Sequence, residues 1–191
     1  TGKGQVIDMA LYEAIFRILD EVAPAYDRFG FVRRREGAET PIVVPHSHYP
    51  TSDDRWVAIA CTNDKIFGRL ADAMGRPELK EDPRYATNKA RIERRGEVNG
   101  MVADWTGSMP RDEVLARCSG AEVPCGPVYG IDEIFTDPHY AARGNILRVA
   151  DPRAGEVAIP NVIPRMSGTP GAVRWLGPAL GAHTDEVLRD L

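Results

Sequence analysis

Residues 41–61 read Pro-Ile-Val-Val-Pro-His-Ser-His-Tyr-Pro-Thr-Ser-Asp-Asp-Arg-Trp-Val-Ala-Ile-Ala-Cys, and this stretch decides the fold class. Trp56 to Cys61 is apolar, partly β-branched and bounded by polar residues, which predicts a strand. Pro41 to Pro50 is a second apolar-rich run. Between them Thr51-Ser52-Asp53-Asp54 carries short polar side chains that hydrogen-bond their own backbone and favour a turn. The stretch therefore predicts two strands joined around an acidic turn.

Toward the C-terminus the pattern becomes helical. Thr62 or Asn63 offers a side-chain oxygen to the free N–H groups of a helix start. That helix uses Ile66, Phe67, Leu70 and Met74, and Gly75 ends it. Residues 77–87, with Pro77 and Pro83, read as short helical turns. Asn88 opens another helix, with Ile92, Val98, Val102 and Trp105 inward. A further one follows Pro110 and uses Val114, Leu115 and Cys118. Toward the N-terminus, Leu11, Ile15, Ile18, Leu19 and Val22 recur at spacings of three and four. They predict one amphipathic helix from Met9 to about Tyr26, with Pro24 near its end. Val6 to Met9 is expected to close a short strand before it, and residues 30–40 form a charged linker or loop. From Val123 onward short apolar pieces alternate with Gly and Pro, at 123–128, 146–149 and 157–160, which predicts short strands and loops. The tail ends in a small helix, Asp185 to Leu191. The fold class is α+β.

Composition narrows the function classes. At 191 residues the chain can bury a core as one large domain or two small ones. Basic residues number 24 against 28 acidic, so the basic surplus of a nucleic-acid binder is missing and no nucleic-acid partner is expected. Arg33, Arg34 and Arg35, and then Arg91, Arg94 and Arg95, read either as solvated faces or as contacts for phosphate or carboxylate groups. Three cysteines, Cys61, Cys118 and Cys125, lack the count and spacing of a disulfide framework or a zinc site. A reducing cytoplasm is the expected compartment. No run of about 18 apolar residues occurs, so no membrane partner is expected, and the N-terminus has no signal-peptide pattern. The chain opens Thr1-Gly2-Lys3-Gly4-Gln5 without an initiator Met, which is expected of a piece cut from a longer protein.

Five stretches, in order, carry a resemblance. They are Thr1-Gly2-Lys3-Gly4-Gln5-Val6-Ile7-Asp8-Met9-Ala10-Leu11-Tyr12-Glu13-Ala14; Tyr49-Pro50-Thr51 with Asp54, Trp56, Val57 and Ala58; Asp82-Pro83-Arg84-Tyr85-Ala86-Thr87-Asn88 with Arg91; Val123-Pro124-Cys125-Gly126-Pro127-Val128; and Leu176-Gly177 with Gly181, His183-Thr184 and Glu186-Val187-Leu188. Together they resemble the C-terminal half of the family III CoA transferases, the CaiB–BaiF family.

The resemblance implies a Rossmann-like larger domain built from both ends of a longer chain, with a smaller α+β domain between. It also implies a homodimer of interlocked subunits. Residues 1–40 would then be the closing segment of the larger domain and a linker. Residues 41–120 would form the smaller domain, and 121–191 the return to the larger one. The implied partners are an acyl-CoA and a carboxylic acid. Coenzyme A enters as a thioester substrate, and no cofactor is bound permanently and no metal is needed. An aspartate attacks the thioester and carries the acyl group as a mixed anhydride. In the family that aspartate precedes the Thr-Gly-Lys-Gly-Gln element, so no catalytic residue is expected within this chain.

What this half would supply is cover for the site. Many family members carry a glycine-rich loop before the hairpin, where this sequence has Pro45-His46-Ser47-His48, a stiffer and more polar loop. His46, Ser47, His48 and Tyr49 are the candidate substrate-binding residues, suited to a second carboxylate on a dicarboxylic acceptor such as succinate or a citramalate-like acid. Asp8 is expected to be a structural or capping residue. Asp53 and Asp54 are expected in a turn, Cys125 as a small buried residue, His183 in a capping or packing role, and Tyr12 and Glu13 on a helix face. Two other readings stand beside this one. Racemases of the same family use a His/Asp pair and a downstream Glu, whose place is taken by Asn63, and dehydratase-type relatives share the fold. The other is a non-catalytic dimerisation or binding module.

Overall fold

In a computed structural model, which describes residues 3–6, 8–19 and 21–189, the acidic turn closes the predicted hairpin. Strand β1 (His46–Pro50) runs antiparallel to β2 (Trp56–Ala60), with His46 opposite Ala60 and Pro50 opposite Trp56. A short third strand, β3 (Cys125–Pro127), lies on the other side of β2. Asp53 holds the turn: its Oδ1 accepts from Thr51 Oγ1 at 2.6 Å and from the Arg111 N–H at 3.2 Å. Asp54 takes a left-handed φ of 58°, which Asp tolerates better than most residues. His46 to His48 are thus strand, not loop, because the ladder to Ile59 and Ala60 takes up their backbone groups.

Two compact units are present, Thr1–Gly126 and Pro127–Leu191, and the division falls inside β3. In the first unit, side chains alternate across the hairpin as the pleat requires. Tyr49, Val57 and Ile59 turn inward and meet Phe67, Leu70, Val98, Val102 and Val114. Each fully buried aliphatic side chain of this set contributes about 1.5–3 kcal/mol. Helix α3 (Asp64–Ala73) is capped by Asn63, whose Oδ1 accepts from the Ile66 N–H at 3.0 Å, and Gly75 beyond it is left-handed at φ 72°. A 3₁₀ turn spans Pro77–Lys80. Helices α4 (Asn88–Glu93), α5 (Arg95–Gly107) and α6 (Arg111–Gly120) follow.

Two helical expectations need correction. The helix predicted from Met9 to Tyr26 is two helices, α1 (Leu11–Ile18) and α2 (Val22–Phe29). Pro24 sits in the first turn of α2, where the missing N–H costs nothing; a continuous helix would have needed that donor. The left-handed Gly30 ends α2. Secondly, the helix opening at Asn88 breaks at Arg94, and its inward residue is Arg91, fully buried, while Ile92 is 36% exposed. Arg91 is therefore neither a solvated charge nor a free ligand contact. The expected strand has no counterpart at residues 6, 8 and 9; Ile7 lies outside the described residues, as do Thr1 and Gly2.

The second unit is built on an antiparallel pair, β4 (Ile146–Asp151) and β5 (Gly155–Pro160), with Ile146 opposite Pro160. Asp151 Oδ1 accepts from the N–H groups of Arg153 and Ala154 at 2.8 and 2.9 Å and shapes the turn. Two short helices, α7 (Ile131–Thr136) and α8 (Pro138–Ala142), stand where only strands and loops were predicted. The terminal helix α9 is Thr184–Arg189; Asp190 and Leu191 lie outside the described residues. No helix among the described residues is long and apolar enough to cross a membrane.

The hairpin is tied to the helices by one buried polar pair. Tyr49 Oη donates to Asn99 Oδ1 of α5 at 2.7 Å. Tyr49→Phe leaves that amide oxygen buried without its donor, and stability should fall by about 1–3 kcal/mol. Urea unfolding at constant slope measures this; an unchanged midpoint would show that Asn99 finds another partner.

Candidate functional site

The alternation that builds the core also builds a cavity. His46 and His48 stand on the same face of the hairpin as their cross-strand partners Ala60 and Ala58. Those methyl groups leave the β2 side of this face low. Ala60 donates its N–H to Pro124 O at 3.1 Å, which brings the Pro124-Cys125-Gly126 segment alongside. The result is a cavity of about 350 Å³ lined by His46, Ser47, His48, Thr40 and Cys125 over the two alanines. That size lies at the small end of ligand sites, about 300–1,000 Å³.

The four candidate binding residues are divided by the pleat. His48 is exposed and His46 half-buried. Ser47 is buried and donates only a weak bond, at 3.5 Å, to His48 O. Tyr49 does not line the cavity: it points into the core, where Asn99 takes its hydroxyl. His46 Nδ1 is the atom that stands out. It is buried and has no hydrogen-bond partner. A buried polar atom left unpaired costs about 1–3 kcal/mol unless something meets it.

Cys125 was expected as a small buried residue, but it is half-buried and on the cavity wall. Its sequence neighbours gave no hint, because the position depends on β3 lying beside β2. The Cys118 thiol hydrogen-bonds to Cys125, which lowers the Cys125 pKa and raises that of Cys118. Cys61 is fully buried, and burial pushes its thiol up to about 12. Thr40, also missed, lines the cavity and donates from Oγ1 to Val43 O at 3.2 Å.

The other candidates take structural places. Asp53 is held below the usual carboxylate range by the Thr51 hydroxyl, with the Arg111 N–H adding to it. Asp8 is exposed, and Glu13 caps α1 by accepting from the Ala10 N–H at 2.8 Å. Tyr12 is 70% exposed. Asn63, which the sequence resemblance set at the racemase Glu position, is occupied by its helix cap. His183, in the second unit, lines an open cleft of about 670 Å³ with Arg153 and Trp175, and its carbonyl accepts from the Val187 N–H. Of the arginine clusters, Arg33 pairs with Glu21 at 2.6 Å and Arg95 with Glu36 and Glu39 at 2.8 and 3.2 Å.

The fold is that of a CaiB/BaiF protein. A solved structure of a CaiB/BaiF family protein from Brucella suis superimposes with a TM-score of 0.79 at 32% identity, covering 99% of this chain and 48% of that one. CoA-transferase family III matches residues 1–184, and the chain belongs to that family. It is 54% identical over its whole length to the succinyl-CoA–L-malate CoA-transferase alpha subunit of Chloroflexus aurantiacus, covering 45% of that protein. It is 35% identical, again over its whole length, to the succinate–glutarate CoA-transferase of Agrobacterium fabrum, covering 48%. The chain thus spans about half the length of the curated relatives it matches, and it aligns with the C-terminal part of them.

Proposed function

We propose that this chain is part of a CoA transferase that moves CoA from an acyl-CoA, succinyl-CoA foremost, to a dicarboxylic acid. The observation that carries the reading is 54% identity across all 191 residues to a protein named for that donor and a hydroxy-dicarboxylic acceptor. An aspartate outside these residues attacks the thioester carbonyl, and CoA thiolate leaves. The mixed anhydride so formed is opened by the thiolate at the aspartyl carbonyl, which releases the first acid. The acceptor carboxylate then reverses the sequence, and the activated bond is conserved throughout. Water must be kept away, since anhydride and thioester both hydrolyse.

His46 and His48 meet the distal carboxylate of the acceptor, Ser47 completes the wall, and Tyr49 holds the strand from beneath through Asn99. Residues 1–40 and 121–191 serve the larger domain and 41–120 the smaller, in a homodimeric, cytoplasmic enzyme. The exposed Ile15, Phe16 and Phe29 of α1 and α2 suit residues that the rest of such a protein covers.

In the full-length protein, His46→Ala removes one hydrogen bond to a charged group, worth about 1.5–3 kcal/mol, and should raise the acceptor KM about tenfold or more. The donor KM should move little. Steady-state kinetics with both substrates varied checks this, and an unchanged acceptor KM would remove the carboxylate-clamp role. The 191-residue chain alone should transfer no CoA; measurable transfer by it would overturn the placement of the nucleophile.

A further inference from the structure

We propose that residues 36–40 form a strap along one wall of the cavity, and that Arg95, through Glu36 and Glu39, is the positioning residue that holds the strap in place. The inference rests on the acceptor reading above for what the cavity takes, but not for the latch itself.

The local sequence makes the strap. Glu36 to Glu39 is a tight turn: the Glu39 N–H donates to Glu36 O at 3.2 Å, and Gly37 inside it is left-handed at φ 64°. Such a turn brings its two ends together, so their carboxylates can meet one guanidinium. Arg95 Nη1 lies 2.8 Å from Glu36 Oε2, and Arg95 Nε lies 3.2 Å from Glu39 Oε2. Arg95 opens α5, where a cation opposes the helix dipole and two carboxylates reverse the sign. The side chains of Arg95, Glu36 and Glu39 are 33%, 21% and 33% exposed, and partly buried pairs are screened less by salt than surface ones.

What the latch holds is cavity wall. Ala38, in the turn, and Thr40, just beyond it, line the cavity together with His46, Ala58 and Ala60. The far end of the segment is tied separately. Asn88, the first residue of α4, donates from Nδ2 to Ile42 O at 2.8 Å and accepts from the Val44 N–H at 3.1 Å. Ala38 and Thr40 thus lie between two fastenings, one at the entry to β1 and one at the turn. With the second released, the turn swings about the first and the wall no longer has one position. An acid that binds there must then order the strap, and that cost weakens binding without slowing the chemistry.

Two readouts in the full-length protein test this. Arg95→Met should speed amide exchange at residues 36–42 by about tenfold, the sign of local opening, and leave exchange in β2 and α3 as it was. The acceptor KM should rise about three- to tenfold, the worth of two partly screened ion pairs, with kcat and the donor KM unchanged. Arg95→Lys, a point charge without the fork, should recover part of both effects. Gly37→Val touches no charge but strains the left-handed turn, and it should move the same two readouts in the same direction. Should Arg95→Met fold poorly, Gly37→Val decides alone. Exchange at 36–42 that neither variant changes overturns the latch. Faster exchange with an unmoved acceptor KM overturns the part of the strap in acceptor binding. His46→Ala separates the two readings. If it alone raises the acceptor KM, the cavity takes the acceptor and the strap proposal falls; if neither it nor the strap variants do so, both fall.

Discussion

Arg91→Met should cost the first unit about 3–5 kcal/mol, the range for breaking a buried charged network by removing one member. The Arg91 guanidinium is fully buried and spreads its donors in three directions: Nε to Val44 O at 2.6 Å, Nη1 to Tyr85 O at 2.7 Å, and Nη2 to Asp64 Oδ1 at 2.8 Å. Its carbon also lies 4.2 Å from the centre of the Phe67 ring. The ion pair is the smaller part of this. The Asp64 side chain is 52% exposed, and such pairs are worth about 0.2–1 kcal/mol. The larger part is the two carbonyls that Met leaves buried without donors, at about 1–3 kcal/mol each. Asp64→Ala should therefore cost under about 1 kcal/mol, within the value of an exposed pair. Arg91→Lys, which keeps charge but not the planar fork, should recover little of the loss. Urea unfolding in a Trp175→Phe background, where Trp56 and Trp105 report on the first unit, measures all three. Equal costs for Arg91→Met and Asp64→Ala would mean that the salt bridge, and not the carbonyl bonding, is what Arg91 supplies.

The same residue shows where reading the sequence stops short. The hairpin, the Asn63 cap, the Gly75 terminus and the inward Val98 and Val102 were legible, because each depends on a local rule: alternation, an Asx side chain before a helix, a left-handed glycine, a helical spacing. Arg91 was not, because charge argues for the surface unless acceptors wait inside. Two of its acceptors, Val44 O and Asp64, lie far from it along the chain. Asn88 works the same segment, accepting from the Val44 N–H at 3.1 Å and donating to Ile42 O at 2.8 Å. Pro24 misled for a different reason: a proline ends a helix or begins one, and spacing alone does not choose. In the second unit, Asp137-Pro138 was a helix start that could have been read, with Asp137 Oδ1 accepting from the Tyr140 N–H at 2.9 Å and Pro138 opening α8. At the cavity, the two histidines drew notice by type. Which of them is sequestered, and that Cys125 stands beside them, depends on strand parity and on the order β1-β2-β3, which are long-range facts.

Raising the pH above about 9 should destabilise the first unit steeply, with the buried thiols and the buried Tyr49 phenol sharing the slope. Burial holds the Cys61 thiol up at about 12 from an ordinary 9; the nearby Arg91 opposes the shift and Cys125 adds to it. Burial likewise raises the Tyr49 phenol well above its ordinary value of 10. Below pH 9 folded and unfolded chains both keep the Cys61 proton, so its contribution is whole. Between 9 and about 12 the unfolded chain loses the proton and the folded one keeps it. The unfolded state then binds fewer protons, and stability falls as pH rises. One group shifted by one unit is worth about 1.4 kcal/mol, so Cys61 alone should remove about 4 kcal/mol by pH 12. Tyr49 adds to the loss from about pH 10. Cys118, whose pKa is raised beside Cys125, adds to the loss above pH 9, whereas Cys125, whose pKa is lowered, gains its contribution below pH 9 and is level above it. Unfolding free energies at pH 8, 9.5 and 11 should therefore drop in the parent chain, drop less in Cys61→Ala, and drop less again when Tyr49→Phe is added. If the slope between pH 9 and 11 is the same with and without Cys61, that thiol is reached by water in the folded chain.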